Sequence, residues 1–376
     1  MNKCKHADEC GGCKTQHIEY ENQLKEKQDY VEMLFCKNNV SAIVASDDLW
    51  NFRGKMEFTF SQDRDGKKFL GLFMAKVKRK VVNLSECLIS PPFVGPLLDK
   101  VRSWWEGTDL VAYKRPFDKG ALQTLTVRSG LNQMIILTVS GDNEFALSNA
   151  ELESFIKAVK INDDTSIYMI VKTICEKKVT QFREIHLFGP KYLKISLCGV
   201  LFHVTPQSFF QPNVKAAEKM INSAINSLKL DGSENVLDLY CGVGTIGIIL
   251  SKFVSQVVGV EINSGAVVDA NENIKRNCIK NMRVYQGDVK ERLNEVLKIF
   301  TPDIIVIDPP RTGLDNVSKD FIKKIMPKKI LYISCNPDSQ KEDINYLTNY
   351  QIEAILPFDQ FPHTLHIENV ILLKIK

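Results

Sequence analysis

The sequence predicts an α/β protein in two parts, an α+β domain over residues 1–205 and a Rossmann-like domain over residues 206–376. Three observations carry this. A chain of 376 residues is long enough for two cores. An apolar strand, a glycine loop and a helical stretch follow one another at residues 235–250, with further short apolar strands behind them. Ahead of residue 205, alternating stretches flank turn signals and read as a small antiparallel sheet.

Composition excludes little. Hydrophobic residues at 44% and charged residues at 25% are ordinary for a globular chain. No apolar run reaches the length of a membrane span, and Met1-Asn2-Lys3-Cys4-Lys5-His6 has no signal-peptide core. A cytoplasmic protein without a membrane partner is expected, working as a monomer. The net charge of +4 permits a nucleic-acid partner without requiring one.

In chain order, Phe52–Phe60 and Phe69–Phe73 read as strands around the Asp63-Arg64-Asp65-Gly66 turn. Leu122–Arg128 and Gln133–Val139 read as a second hairpin across Ser129-Gly130-Leu131-Asn132. Basic residues gather at Lys76-Val77-Lys78-Arg79-Lys80 and Lys114-Arg115, either as phosphate contacts or as edge-strand lysines that discourage pairing. Residues 213–228 keep Val214, Ala217, Ile221, Ala224, Ile225 and Leu228 on one helical face. The strand at 235–240 then runs into Cys241-Gly242-Val243-Gly244-Thr245-Ile246-Gly247, where glycines let the backbone approach a nucleotide-like ligand.

A G-x-G-x-x-G pattern alone would also fit a dinucleotide enzyme. Two acidic residues shift the balance toward S-adenosylmethionine: Asp238 before the glycines, and Glu261 at the end of the next strand, placed to accept from both ribose hydroxyls. Asp288, after the third strand, is expected beside the adenine or in a solvated turn. The fourth strand at 303–307 delivers Asp308-Pro309-Pro310-Arg311-Thr312-Gly313, with the carboxylate at the site mouth. The fifth, at 329–333, ends at Ser334-Cys335, so Cys335 should emerge beside Asp308.

Ten cysteines without a leader point to thiol chemistry rather than disulfides. Cys4-x5-Cys10-x2-Cys13 with the distant Cys87 can hold an iron–sulfur cluster, or zinc with His6 or His17 as further ligands. Cys36, Cys175, Cys198, Cys241 and Cys278 lack ligand spacing and are expected as small buried residues. Cys335 remains as a nucleophile, with the carboxylate Glu368 downstream. A thiolate added to carbon 6 of a pyrimidine turns carbon 5 into an enolate-like centre that accepts a methyl group. A base must then remove the carbon 5 proton.

Four segments, Ser208-Phe209-Phe210-Gln211-x-Asn213, Asp308-Pro309-Pro310-Arg311-x-Gly313, Ser334-Cys335-Asn336-Pro337 and Phe361-Pro362-His363-Thr364-x-His366-x-Glu368, resemble the signature of the RNA uracil-5-methyltransferases, in that family's order. The resemblance implies a class I methyltransferase domain with donor contacts at Gln211, Tyr240, Thr245, Glu261, Asp288 and Asp308. It implies Cys335 as nucleophile and Glu368 as the base. It also implies a [4Fe–4S] cluster on Cys4, Cys10, Cys13 and Cys87, with a structural role. Phe209 is a candidate for stacking near the reacting groups, and His363 and His366 for ordering the loop that carries Glu368. Cys4 lies so near the start that the RNA-binding TRAM barrel of many relatives is expected to be absent. Cluster without barrel resembles a 23S ribosomal RNA branch. The alternatives are the T-loop uridine of transfer RNA and a non-catalytic iron–sulfur RNA-binding protein. DNA cytosine-5 and exocyclic-amine methyltransferases place their motifs differently. The target base, if inside folded RNA, must be flipped out to meet the thiolate.

Overall fold

In the computed structural model, which describes residues 3–114, 119–174 and 180–376, the chain forms two compact units. The described residues of 1–16 and 48–194 make the first, and residues 17–47 and 195–376 the second. The division therefore differs from a single cut at residue 205. Helix α1 (Tyr20–Leu34) groups with the C-terminal half, although it precedes the N-terminal sheet. Its buried residues are Gln23, Lys27 and Val31. Two of the three are polar, so no apolar stripe announces the helix in the sequence.

The first unit contains β1 (Lys55–Gln62), β2 (Lys68–Gly71), α2 (Val94–Glu106), β3 (Leu122–Ser129) and β4 (Gln133–Ser140). It continues with α3 (Asn149–Val159), β5 (Ser166–Ile174) and β6 (Thr180–Phe188). The sheet order is β2-β1-β3-β4-β5-β6. Both hairpins expected from the sequence form, but the sheet is larger and not purely antiparallel, because β4 and β5 pair in parallel. The reason is α3. A helix between two strands lets the chain return to its starting end, and parallel pairing needs such a crossover. Ser148 and Glu151 start α3 with a reciprocal capping box. Aromatic packing holds the helices: Trp105 meets Phe60 edge-on at 5.1 Å and Trp104 meets Phe155 at 4.9 Å.

Strand β7 (Leu193–Leu197) leads into the second unit and pairs with β8 (Val200–Val204). Then come α4 (Val214–Leu228), β9 (Asn235–Leu239), α5 (Thr245–Leu250), β10 (Gln256–Glu261), α6 (Ser264–Arg276) and β11 (Met282–Gln286). Next are α7 (Val289–Val296), β12 (Ile304–Ile307), α8 (Asn316–Ile325) and β13 (Lys329–Ser334). The chain ends with α9 (Pro337–Tyr346), β14 (Tyr350–Phe358) and β15 (Glu368–Ile375). The sheet order is β11-β10-β9-β12-β13-β15-β14, in which β15 runs antiparallel to both neighbours. Leu237, Val260, Ile305, Ile330 and Ile371 are fully buried across it, as expected for strands covered on both faces.

This is the Rossmann-like α/β fold. The chain winds one way from β9 through β10 to β11, then returns to place β12 and β13 on the other side of β9. Ligands of such sheets sit beyond the strand ends at that reversal. The β9 and β12 ends lead into Tyr240–Gly247 and Asp308–Gly313, so two of the sequence motifs share that position.

Candidate active site

The glycine loop is held open from below. Tyr240, Gly242 and Gly244 all take left-handed backbone conformations, with φ of 62°, 55° and 80°. Asp238 Oδ2 accepts the Gly247 amide at 2.9 Å. A side chain at Gly247 would lie 2.6 Å from Met282 Cε and 2.8 Å from Asp238 Oδ2, so only glycine lets α5 start this close to the sheet. Glu261 accepts from the Gly242 amide at 3.0 Å and the Asn263 amide at 2.7 Å. Above the loop lies a cavity walled by Phe209, Gln211, Asp238, Tyr240, Thr245 and Asp308, among others.

Four of the six expected donor residues, Gln211, Tyr240, Thr245 and Asp308, line that cavity. Glu261 borders it through Gly242, and Asp288 caps the approach to α7 with its backbone carbonyl, outside the cavity lining. The segment carrying Phe209 and Gln211 is anchored by α6. Asp269, Asn273 and Asn277, spaced four apart, bond the backbones of Thr205, His203 and Leu201 and so occupy the free edge of β8. Phe209 is 61% exposed while Phe210 is buried, so the stacking candidate is not a core aromatic.

Sheet register brings the thiol and the carboxylate together. Ser334 pairs with Asn369 in the antiparallel β13–β15 ladder, so the next residue, Cys335, faces Glu368. On its other side, β13 pairs in parallel with β12, whose Ile307 leads into Asp308. Asn336 Nδ2 and Ser339 Oγ both donate to the Arg311 carbonyl, at 2.8 and 3.2 Å, locking two motifs to one another.

Burial dominates the electrostatics. It pushes the Glu368 carboxyl up to about 8, with Asp308 adding and Arg311 opposing. Burial also raises Asp308 to about 7, and Asp238 to about 8 despite its bond from Gly247. The half-buried Cys335 thiol is raised to about 11 by burial and then by Glu368, while Arg311 favours the thiolate. The site can thus hold a protonated carboxyl beside a thiol near neutral pH.

Several supporting residues had no signal in the sequence. Asp343 accepts from the Leu314 amide at 2.7 Å and the Tyr332 hydroxyl at 2.6 Å, and pairs with Lys319 at 3.1 Å. Gln340 Nε2 donates to the carbonyls of Tyr332 and Asn369, tying β13 to β15 beside the thiol. Their partners are distant in sequence, so no local spacing could reveal them.

In the first unit, Cys4, Cys10, Cys13 and Cys87 line one cavity, walled further by Trp50, Leu72, Leu84 and Ile89. The loop carrying the first three is strapped down by Gly11 to Phe73 and Ala75 to Glu9 backbone bonds. The Gly12 amide points at Cys10 Sγ, 3.4 Å away. Burial and the three neighbouring thiols raise Cys13 to about 12. Among the described residues, no three His, Cys, Asp or Glu converge as ligands of one metal ion. His6 Nε2 is engaged by Ser85, and His17 is outside the cavity lining. Beside the Cys10 loop, Lys76, Lys78, Arg79 and Lys80 are exposed.

Of the cysteines expected to be buried, Cys241 is, but Cys36 and Cys278 are exposed and Cys198 is half-buried. Cys36 and Cys278 follow helix ends, α1 and α6, where the chain turns at the surface. Cys175 and Arg115 lie outside the described residues. No helix among the described residues is long and apolar enough to cross a membrane.

Residues 19–376 match the family described as tRNA (Uracil-5-)-methyltransferase. The chain is 36% identical to a protein of Protochlamydia amoebophila named uncharacterized RNA methyltransferase, over 98% of this chain and 90% of that one. It is 39% identical to a protein of the same description from Chlamydia trachomatis, over 99% and 98% of the two chains. The structure of Pyrococcus abyssi tRNA (uracil-54, C5)-methyltransferase in complex with S-adenosyl-L-homocysteine is similar, with a TM-score of 0.80 and 25% identity. That likeness covers 97% of this chain and 86% of that one.

Proposed function

Since the chain belongs to the tRNA (uracil-5-)-methyltransferase family, an S-adenosylmethionine-dependent group of RNA-modifying enzymes, we propose that it methylates carbon 5 of a uridine through Cys335 and Glu368. The observation that carries this reading is the β13–β15 register, which sets the thiol opposite the carboxylate at the end of a sheet whose switch point holds the cavity.

Bound S-adenosylmethionine supplies the methyl group. Gln211, Tyr240, Thr245, Glu261, Asp288 and Asp308 are assigned to hold it. The Cys335 thiolate adds to carbon 6 of the uracil, carbon 5 takes the methyl group as the donor's sulfur–methyl bond breaks to leave S-adenosylhomocysteine, and the Glu368 carboxylate takes the proton from carbon 5. The carbon–sulfur bond then breaks and the 5,6 double bond re-forms, releasing Cys335. Cys335→Ala is expected to abolish methylation, and retained activity would refute the thiol's role. Glu368→Gln is expected to slow turnover about 10²–10⁴-fold and to trap a denaturation-resistant enzyme–RNA adduct. If no adduct forms, another group removes the proton.

To Cys4, Cys10, Cys13 and Cys87 we assign a structural [4Fe–4S] cluster. Four half-buried thiols lining one cavity would repel one another as anions, and these four residues would hold a cationic group that offsets that repulsion. Iron and sulfide assays on anaerobically purified protein test this, and stoichiometric zinc would overturn it. RNA contact is assigned to Lys76–Lys80, and the target to 23S ribosomal RNA because of the cysteine set. The likeness to a transfer-RNA enzyme favours a second reading, a T-loop uridine. Mapping 5-methyluridine in RNA from a deletion strain decides between them: loss from transfer RNA with ribosomal RNA intact selects the second.

A further inference from the structure

The segment from Asp359 to Ile367 joins β14 to β15 and delivers Glu368, and α1 holds its Phe361 carbonyl and His363 amide. Lys27 Nζ donates to Asp359 Oδ1 at 2.7 Å and to the Phe361 carbonyl at 3.3 Å, while the same Asp359 oxygen accepts the Phe361 amide at 3.1 Å. The Lys27 and Asp359 side chains are 4% and 0% exposed. One turn earlier on the helix, Gln23 Oε1 accepts the His363 amide at 2.9 Å, and its Nε2 donates to the Ile18 carbonyl at 2.9 Å and lies 3.3 Å from His363 Nδ1. His363 itself holds a left-handed conformation, φ 65°. Asn213 adds a bond to the Gln360 carbonyl at 2.9 Å.

A buried ion pair adds little net stability, and apolar replacements of similar volume are often neutral or better. What this pair and Gln23 do is geometric. Four residues apart, they face the same way from one helix and hold Asp359, Phe361 and His363 in the segment that leads to Glu368. Near-attack geometry is sensitive to small displacements of this kind. We propose that Lys27 and Gln23 are positioning residues that set the angle of Glu368 toward the carbon 5 proton, an inference that rests on Glu368 being the base.

Lys27→Met removes the cation but keeps an apolar stem. Expected is a turnover lowered roughly ten- to a hundredfold, with KM for RNA and donor changed less than twofold. Because the slowed step follows methyl transfer, a covalent RNA adduct carrying label from the methyl group should accumulate. A purely structural role would lower the melting temperature without enriching that adduct. If Lys27→Met does not fold, Gln23→Leu serves as the second variant, with the same expectation. Wild-type turnover in the folded variant overturns the proposal, as does slow turnover without labelled adduct while Glu368→Gln gives one in the same assay. Absence of adduct in both overturns the assignment of Glu368, and this inference with it.

Discussion

Ionised, Glu368 and Cys335 carry like charge and repel one another, and the ionisation of each sets how the reaction responds to pH. A carboxyl raised to about 8 is mostly protonated at pH 6 and mostly ionised at pH 9, and only the ionised form can take a proton. The thiol, raised to about 11, also gains its reactive form as pH rises. Both effects have the same sign. Release of methylated RNA from the enzyme in a single turnover should therefore climb with pH through about 8 and show no descending limb from these two groups below about 11. A flat profile between pH 6 and 9 would contradict the assignment. The coupling can be read separately at the thiol. Glu368 raises Cys335 and Arg311 lowers it, so Glu368→Gln should shift Cys335 alkylation to lower pH and Arg311→Met to higher pH.

At the scale of elements, the loop from β12 to α8 depends on one carboxylate. Gly313 has φ 77°, and a side chain there would come within 2.6 Å of Asp343 Oδ2. Gly313→Ala should cost about 1–3 kcal/mol from its left-handed backbone, seen as a lower urea midpoint. Tyr332→Phe, which removes a hydroxyl bond to the same oxygen, should cost about 1.5–3 kcal/mol. Because both act on Asp343, the double variant should lose less than the sum, whereas strict additivity would deny Asp343 this shared role. The motifs at Asp308, Cys335 and Gly242–Gly247 were legible in the sequence because buried parallel strands read as apolar runs and each ends at its motif. The supports were not. Strand β14 contains Pro357 and a register shift at Ile352/Ala354, both of which hide a strand pattern. Helix α1 buries Lys27 and Gln23, which a hydrophobic period cannot register. The Cys335–Glu368 pairing required knowing that β15 inserts antiparallel between β13 and β14, a long-range choice without local signature.

For the molecule as a whole, raised carboxyl pKa values in the second unit are a statement about stability. Asp238, Asp308 and Glu368 sit at about 8, 7 and 8 in the folded chain, against ordinary values of 3.8, 3.8 and 4.5. Between those limits the folded state keeps protons that the unfolded chain has released, so unfolding releases protons and stability falls as pH rises. The stabilising contribution is complete below about pH 4 and lost by the time pH passes through about 8. These groups oppose the usual acid-labile trend of ion-paired carboxylates, and they do so because burial, not pairing, governs them. The measurement is a comparison across pH of wild type with Glu368→Gln in the ligand-free protein. Below about pH 4 the two side chains are neutral in both the folded and the unfolded chain, and melting temperatures should be close. At pH 9 the wild type must bury a charge that the amide does not carry, so the variant should melt higher. A variant that instead loses ground as pH rises would show that Glu368 is held as a paired carboxylate, and the argument for a base poised near neutrality would go with it.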